Sequence, residues 1–411
     1  MKIIHCKFSS GKYPVLVRAD SSIPFFLPLT YTILSLKGKS YRTIINQITS
    51  IKILYLYFIE KEIDFEESIL KGDFNTIVNK IPNLCAWIYN KDYKQISKRD
   101  ILPISNQQFD IYITCIKSFL KWNAVRYRCK IDIIRIIEES LSSYLIHNPS
   151  KTKSYRSLSK QEIDQIRELL LPLSNSNPFK EKVKLRNWVI FETLLQSGLR
   201  AGELLKLKST DIIKNGDSFY IRIINRLNDD EDTRHIAPSL KNRQSERIIA
   251  LSKELYDLLE YYIKNLRRPR RKDKIIKIKH GYLFTSERGF PISQNTTARI
   301  FKIIEQTLKK HGRSLSVSLS AHTLRHSFAE QFLEYLIETR KMDMERAKDE
   351  LREICGWTKS SVMPNYYTSR YVNKMANQHG MKANYYIFLL QIVIVILALF
   401  QPLEASIIGE C

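Results

Sequence analysis

Ala321-His-Thr-Leu-Arg-His-Ser-Phe-Ala329 is the stretch on which the reading of this chain turns. His322 and Arg325 stand three residues apart, so on a helix they share a face and can reach one small anion together. A His-x-x-Arg pair alone is common on solvated helix faces and carries little. Its weight comes from three distant stretches that supply what an anion-centred reaction still needs.

The first is Leu195-Gln-Ser-Gly-Leu-Arg-Ala-Gly-Glu-Leu-Leu205, where Gly198 ends one helix and Arg200 precedes the next. The second is Leu240-Lys-Asn-Arg-Gln-Ser-Glu-Arg-Ile-Ile-Ala-Leu251, a polar turn that separates Lys241 from an apolar strand, as in a hairpin. The third is Cys355-Gly-Trp-Thr-Lys-Ser-Ser-Val-Met-Pro-Asn-Tyr-Tyr-Thr368, a turn and a helix start with two adjacent tyrosines. In chain order these give Arg200, Lys241, His322, Arg325, Trp357 and the pair Tyr366-Tyr367. The set resembles the tyrosine recombinase (phage-integrase) family, whose signature is Arg…Lys…His-x-x-Arg…His/Trp…Tyr. The resemblance covers most of the chain, and the order and context of its motifs are specific.

The charge agrees with such a partner. Sixty-six Lys and Arg face 42 Asp and Glu, a formal charge of +24 with a sequence pI near 9.6. That surplus points to a polyanion, nucleic acid first and an anionic membrane surface second. An aromatic content of 11% and a hydrophobic content of 44% argue against a disordered basic tail protein. The six cysteines are scattered, with no Cys-x-x-Cys pair and no His at zinc spacing, which predicts a reduced, cytoplasmic protein without a structural metal. No signal peptide is expected. No Gly-rich phosphate loop or carboxylate cluster appears, so no nucleotide, divalent metal or other cofactor is called for.

The fold class expected is mostly α with a small antiparallel β-sheet, in two domains. Residues 1–38 read as an arm, with a strand-like Tyr13-Pro-Val-Leu-Val-Arg18 and a Pro-punctuated Ile23-Pro-Phe-Phe-Leu-Pro28. Residues 39–125 read as a helical module. Ile44, Ile45, Ile48, Ile51, Leu54 and Phe58 follow helical spacing, a second helix covers Phe74 to Tyr89, and Ser105 with Gln108 opens a third. The resemblance implies that this module is a SAM-like core DNA-binding domain closing one side of a clamp around DNA.

Residues 126–154 read as a linker that includes a helical Ile131–Leu145 segment. Residues 155–375 form the expected α+β catalytic domain, opened by a Ser159–Glu162 capping box. Strands are expected at Phe219–Ile224, at the Lys241 hairpin and at Tyr282-Leu-Phe-Thr. The run Arg267-Arg-Pro-Arg-Arg-Lys272 fits a solvated loop and a phosphate contact equally well. Residues 376–411 form an apolar tail whose Ala383–Phe400 section, 18 residues, has no charge, the minimum for a membrane span. A buried or docked C-terminal segment is preferred to a membrane anchor, since the family docks such segments onto a neighbouring protomer.

Cutting DNA without losing the bond energy calls for a nucleophile that stays on phosphorus, and a tyrosine forms a diester that a freed hydroxyl can reverse. The resemblance assigns Arg200 and Arg325 to the nonbridging phosphate oxygens, where guanidinium forks bind bidentately. It assigns Lys241 to protonating the departing 5′ oxygen, and His322 to supporting the phosphate and assisting proton transfer. Trp357 can only donate through its indole nitrogen, so it would position rather than titrate. Glu203 would orient the basic side chains. Family spacing, nine residues beyond Trp357, selects Tyr366, whereas the Met-Pro-x-x-Tyr-Thr pattern selects Tyr367, the choice preferred here. Neighbouring helix residues point about 100° apart, so only one can attack.

The expected function is site-specific cleavage and rejoining of double-stranded DNA by a homo-tetramer in a synapse, with trans docking of the tail. A type IB-like topoisomerase and a cleavage-inactive architectural DNA-binding protein are the rivals. A membrane partner is raised only by the tail.

Overall fold

The computed structural model describes residues 1–8, 11–90, 104–146, 157–226, 229–234, 238, 245–268, 270–271, 274–275 and 277–399. Two compact units are present, Met1–Ser154 with Arg234–Ser239, and Tyr155–Thr233 with Leu240–Cys411.

The first unit opens with an antiparallel hairpin, β1 (Lys2–Phe8) and β2 (Gly11–Val17), in which Ile3 pairs with Leu16. Only the second of these strands was expected. Helix α1 (Phe26–Leu34) follows where a broken segment was expected. Pro28 lies in its first turn, where a missing N–H costs no helical hydrogen bond. Ser40 caps α2 (Tyr41–Glu60) by accepting from the Thr43 N–H, and Ile44, Ile48, Ile51, Leu54 and Phe58 of this helix are buried. Asp64 and Asp73 cap α3 (Phe65–Leu70) and α4 (Phe74–Tyr89), and Ser105 caps α5 (Asn106–Arg126).

Helix α6 (Ile131–Ser143), placed by sequence in the linker, buries Ile137 and Leu141 in the same core as α2 and α5. Lys121 of α5 meets Glu138 of α6 at 2.5 Å. The linker reading failed there because the apolar period of α6 is a core signal that outweighs its polar flanks. Each fully buried Ile or Leu of this core contributes about 1.5–3 kcal/mol by leaving water.

In the second unit the expected capping box forms at the start of α7 (Lys160–Leu170): the Ser159 N–H donates to Glu162 and the Glu162 N–H to Ser159. Helix α8 (Glu181–Ser197) stops at Gly198, which is left-handed at φ +60°, and α9 (Ala201–Lys206) starts three residues later. A three-stranded antiparallel sheet, β3 (Ile212–Asn215), β4 (Ser218–Ile223) and β5 (Arg247–Leu251), has β4 in the middle and pairs Ile221 with Ile249. Lys241 and the turn expected around it lie outside the described residues.

Helix α10 (Lys253–Tyr261) ends in a π-helical turn, Tyr262–Leu266. Arg267 is buried and donates to the carbonyls of Tyr282 and His280, so this member of the basic run is structural. A two-residue pair, β6 (Arg270–Arg271) and β7 (Lys274–Ile275), follows, while Pro269 and Lys272 lie outside the described residues. Tyr282-Leu-Phe-Thr makes isolated bridges to Lys208 and Pro291 rather than the expected strand, and Tyr282, Leu283 and Phe284 are buried.

The C-terminal helices are α11 (Gln294–Lys310), α12 (Ala321–Glu334), α13 (Met344–Cys355) and α14 (Met363–Leu399). Helix α14 is continuous across the expected end of the catalytic domain at residue 375. Its Tyr385–Leu390, Ile392 and Val393 are exposed, which overturns the buried reading of the tail over that span within one chain. Among the described residues no helix is long and apolar enough to cross a membrane.

Candidate active site

Arg200 is held from both ends. As the N-cap of α9 its backbone N–H donates to Glu203 at 2.9 Å, while its Nη1 donates to the other oxygen of that carboxylate at 2.6 Å. Its Nη2 donates to the Gly356 carbonyl at 3.1 Å. Arg325, on α12, is buried and donates to the carbonyls of Gly198 at 2.6 Å and Cys355 at 2.5 Å. Each guanidinium has five N–H groups, so these side-chain contacts fix its plane and leave donors for a ligand. The left-handed turn at Gly198 aims that carbonyl at Arg325, and a Cβ at position 198 would overlap the Phe328 ring.

Glu203 is the hub. Besides Arg200 it meets Arg247 through two contacts, at 3.0 and 3.3 Å, and lies 3.9 Å from Arg325. Burial alone would raise the Glu203 carboxyl, but the guanidiniums of Arg247, Arg200 and Arg325 outweigh it and hold the group below its ordinary value. Burial also pushes Arg325 below the usual arginine range. One carboxylate therefore faces three cations, and the balance suits an incoming monoanion such as a phosphodiester.

Arg247 lies outside the set expected from sequence. It donates from Nε to the Ile354 carbonyl at 2.7 Å and from Nη1 to the Ser245 carbonyl at 2.8 Å, so it ties β5 to the end of α13. Gly356, left-handed at φ +58°, makes room for it, since a Cβ there would stand 2.6 Å from Arg247 Nη1. The signal available in the sequence was a charged residue at the inward-facing start of an alternating strand, opposite a glycine turn that no one-dimensional pattern pairs with it.

Of the expected residues, Arg200, Arg325 and Trp357 converge here. Trp357 lies under the Arg325 guanidinium, 5.3 Å to the ring centroid, and stacks on Tyr367 with centroids 5.7 Å apart and planes 17° apart. Tyr367 is 2% exposed, and its hydroxyl meets His326 Nδ1 at 2.6 Å. Burial pushes its phenol well above the ordinary tyrosine value. Tyr366 is half-buried, its ring 6.2 Å from that of Tyr367 and at 67° to it. His322 is exposed and joins the cluster through His326, with 2.8 Å between the two Nε2 atoms. His326 stands in the same Ala321–Ala329 stretch, one turn beyond His322, and is not part of the expected set. Lys241 lies outside the described residues. Among the described residues no group of three or more His, Cys, Asp or Glu is placed to hold a metal ion.

Residues 156–374 match the profile of the phage integrase family. Among curated proteins, tyrosine recombinase XerC of Halalkalibacterium halodurans is 28% identical over 190 residues, 46% of this chain and 53% of that protein. Tyrosine recombinase XerD of Listeria innocua is 29% identical over 177 residues, 42% of this chain and 48% of that protein. The chain thus spans about half the length of the curated relatives it matches. Among solved structures, the Tn1549 transposon integrase in complex with a circular intermediate DNA overlays with a TM-score of 0.48 at 16% identity, over 77% of this chain and 94% of that one. The matched profile spans more than half of the sequence, and the chain belongs to the phage integrase family, that of the tyrosine recombinases.

Proposed function

We propose that this protein cuts and rejoins double-stranded DNA at specific sites through a covalent 3′-phosphotyrosine on Tyr367. The observation that carries the reading is a single buried phenol stacked on Trp357, beside two arginines locked by one carboxylate. Such a site stabilises charge that develops on a phosphate, because its donors are already oriented before the reaction begins. Arg200 and Arg325 take the nonbridging oxygens, His322 supports the phosphate, and Lys241 protonates the departing 5′ oxygen. The +24 charge supplies DNA affinity. The helical residues 39–125 act as a DNA-binding module, and the protein works in the cytoplasm as a homo-tetramer on paired sites. The exposed apolar residues of α14 then serve as a contact between protomers.

The test is covalent capture. Duplexes are selected from a randomised pool by binding to the wild-type protein, nicked near the centre to trap the intermediate, and incubated in excess EDTA. An adduct that survives detergent is expected, since arginine and histidine rather than metal meet the phosphate charge. Absence of any adduct, or a strict metal requirement, would overturn the reading. Replacing the scissile 5′-bridging oxygen by sulfur, a leaving group that needs little protonation, should restore cleavage to Lys241→Ala but not to Arg325→Ala. Rescue of neither removes Lys241 from the general-acid role.

A further inference from the structure

The expected catalytic set contains one histidine, His322, yet the side chain against the Tyr367 hydroxyl is His326. We propose that His326 takes the Tyr367 proton and hands its own proton to His322, so that the two histidines form a relay from the buried phenol to the exposed edge of the site. The inference rests on the phosphotyrosine reading above and adds the route of the proton, which that reading leaves open.

The geometry carries it. Tyr367 Oη and His326 Nδ1 are 2.6 Å apart, and His326 Nε2 and His322 Nε2 are 2.8 Å apart. His322 and His326 are four residues apart on α12, so the helix itself stacks the rings, with centroids 4.2 Å apart. Two imidazole nitrogens at that distance share one proton, one donating and the other accepting. If His326 donates through Nε2, its Nδ1 carries a lone pair and accepts from the phenol. When Tyr367 Oη bonds to phosphorus and the P–O5′ bond breaks, the phenolic proton moves to Nδ1. The Nε2 proton of His326 moves to His322 Nε2, and the 5′ oxygen leaves with a proton from Lys241. His326 is neutral before and after, and the positive charge ends on His322.

That neutrality matters where His326 sits. Burial, followed by the charges of His322, Arg325 and Arg370, pushes its pKa down to about 4, so a proton left on its ring would be disfavoured. Among the described residues, the groups that face it include His322 and Arg325 on its own helix, and Tyr367 and Arg370 on α14. His322, being exposed, can bear the charge beside the phosphate.

The test compares the wild type with His326→Asn on the selected duplex, in single turnover. Asparagine keeps a polar atom near the place of Nδ1 but cannot pass a proton on. Cleavage at neutral pH should fall by about 100-fold or more while DNA binding is unchanged, which is the usual contribution of a positioned base. The rate of the variant should climb with pH where the wild type has levelled. A more acidic 3,5-difluorotyrosine at position 367 should restore much of the loss in His326→Asn, and none in Lys241→Ala. A wild-type rate in His326→Asn, or a loss that neither pH nor fluorotyrosine recovers, would refute the relay.

If the variant does not fold, the wild-type protein on the 5′-sulfur substrate decides. Its rate in mixtures of light and heavy water should curve as two protons in flight require, and a straight line would overturn the relay. A wild type that forms no adduct at all fails the phosphotyrosine reading instead, so the two failures are distinguishable.

Discussion

Tyr367→Phe should form no covalent protein–DNA adduct, at any pH or time of incubation, while its DNA affinity stays within about twofold of wild type. Only one oxygen is lost, and binding is spread over many phosphate contacts. Phenylalanine keeps the ring stacked 5.7 Å from Trp357, so the pocket survives. Tyr366→Phe is the matched control and should retain the adduct, because it is the Tyr367 hydroxyl that meets His326 and the Tyr367 ring that stacks on Trp357. The readout is a shifted band under detergent with labelled duplex. An adduct in Tyr367→Phe that disappears in Tyr366→Phe would reverse the assignment. Loss in neither would remove both tyrosines from the chemistry.

Glu203→Ala should be the most damaging change in the site that touches no substrate. Its carboxylate is about 2% exposed and faces Arg200, Arg247 and Arg325. Removing it leaves cations buried without their partner, a class of change that costs about 3–5 kcal/mol. Whole-domain stabilities run at about 5–15 kcal/mol, so a large drop in the denaturation midpoint is expected. Sulfate should raise the Tm of the variant more than that of the wild type, since an added anion replaces the missing charge. Equal responses to sulfate, or a midpoint close to wild type, would show that solvent already screens the three arginines.

Much of the local structure was legible because it is written in neighbouring residues. Ser40, Ser105 and the Ser159–Glu162 pair announce helix starts, and Gly198 announces a stop. The apolar period of α2 named its buried face, apart from Ile45, which is half-buried. Pro28 misled, because proline breaks a helix interior but not a first turn. Tyr282-Leu-Phe-Thr looked like a strand because a short buried apolar run has no period of its own to distinguish strand from loop.

At the site, Arg200, Arg325 and Trp357 stand in recognisable motifs, and the structure brings them together. The partnership of Glu203 with Arg247 joins residues 44 positions apart, and that of His326 with Tyr367 spans 41. Neither follows a spacing rule. Tyr366 and Tyr367 differ in burial and in ring partners, which a two-residue repeat of the same letter cannot encode.

The basic cluster is tied down largely by main-chain oxygens: Gly198 and Cys355 receive Arg325, Gly356 receives Arg200, and Ile354 receives Arg247. Exchanging one side chain for another leaves every one of those acceptors in place. A conventional alanine scan would therefore score Ile354 and Cys355 by their packing alone and pass over the role of their peptide groups. The informative chemistry is amide-to-ester exchange introduced by semisynthesis. An α-hydroxy acid at position 357 weakens the Gly356 carbonyl as an acceptor, and one at 356 weakens that of Cys355. Each loosens one guanidinium without altering any functional side chain, and each also removes one main-chain donor at the end of α13, the Trp357 N–H to Arg352 or the Gly356 N–H to Glu353.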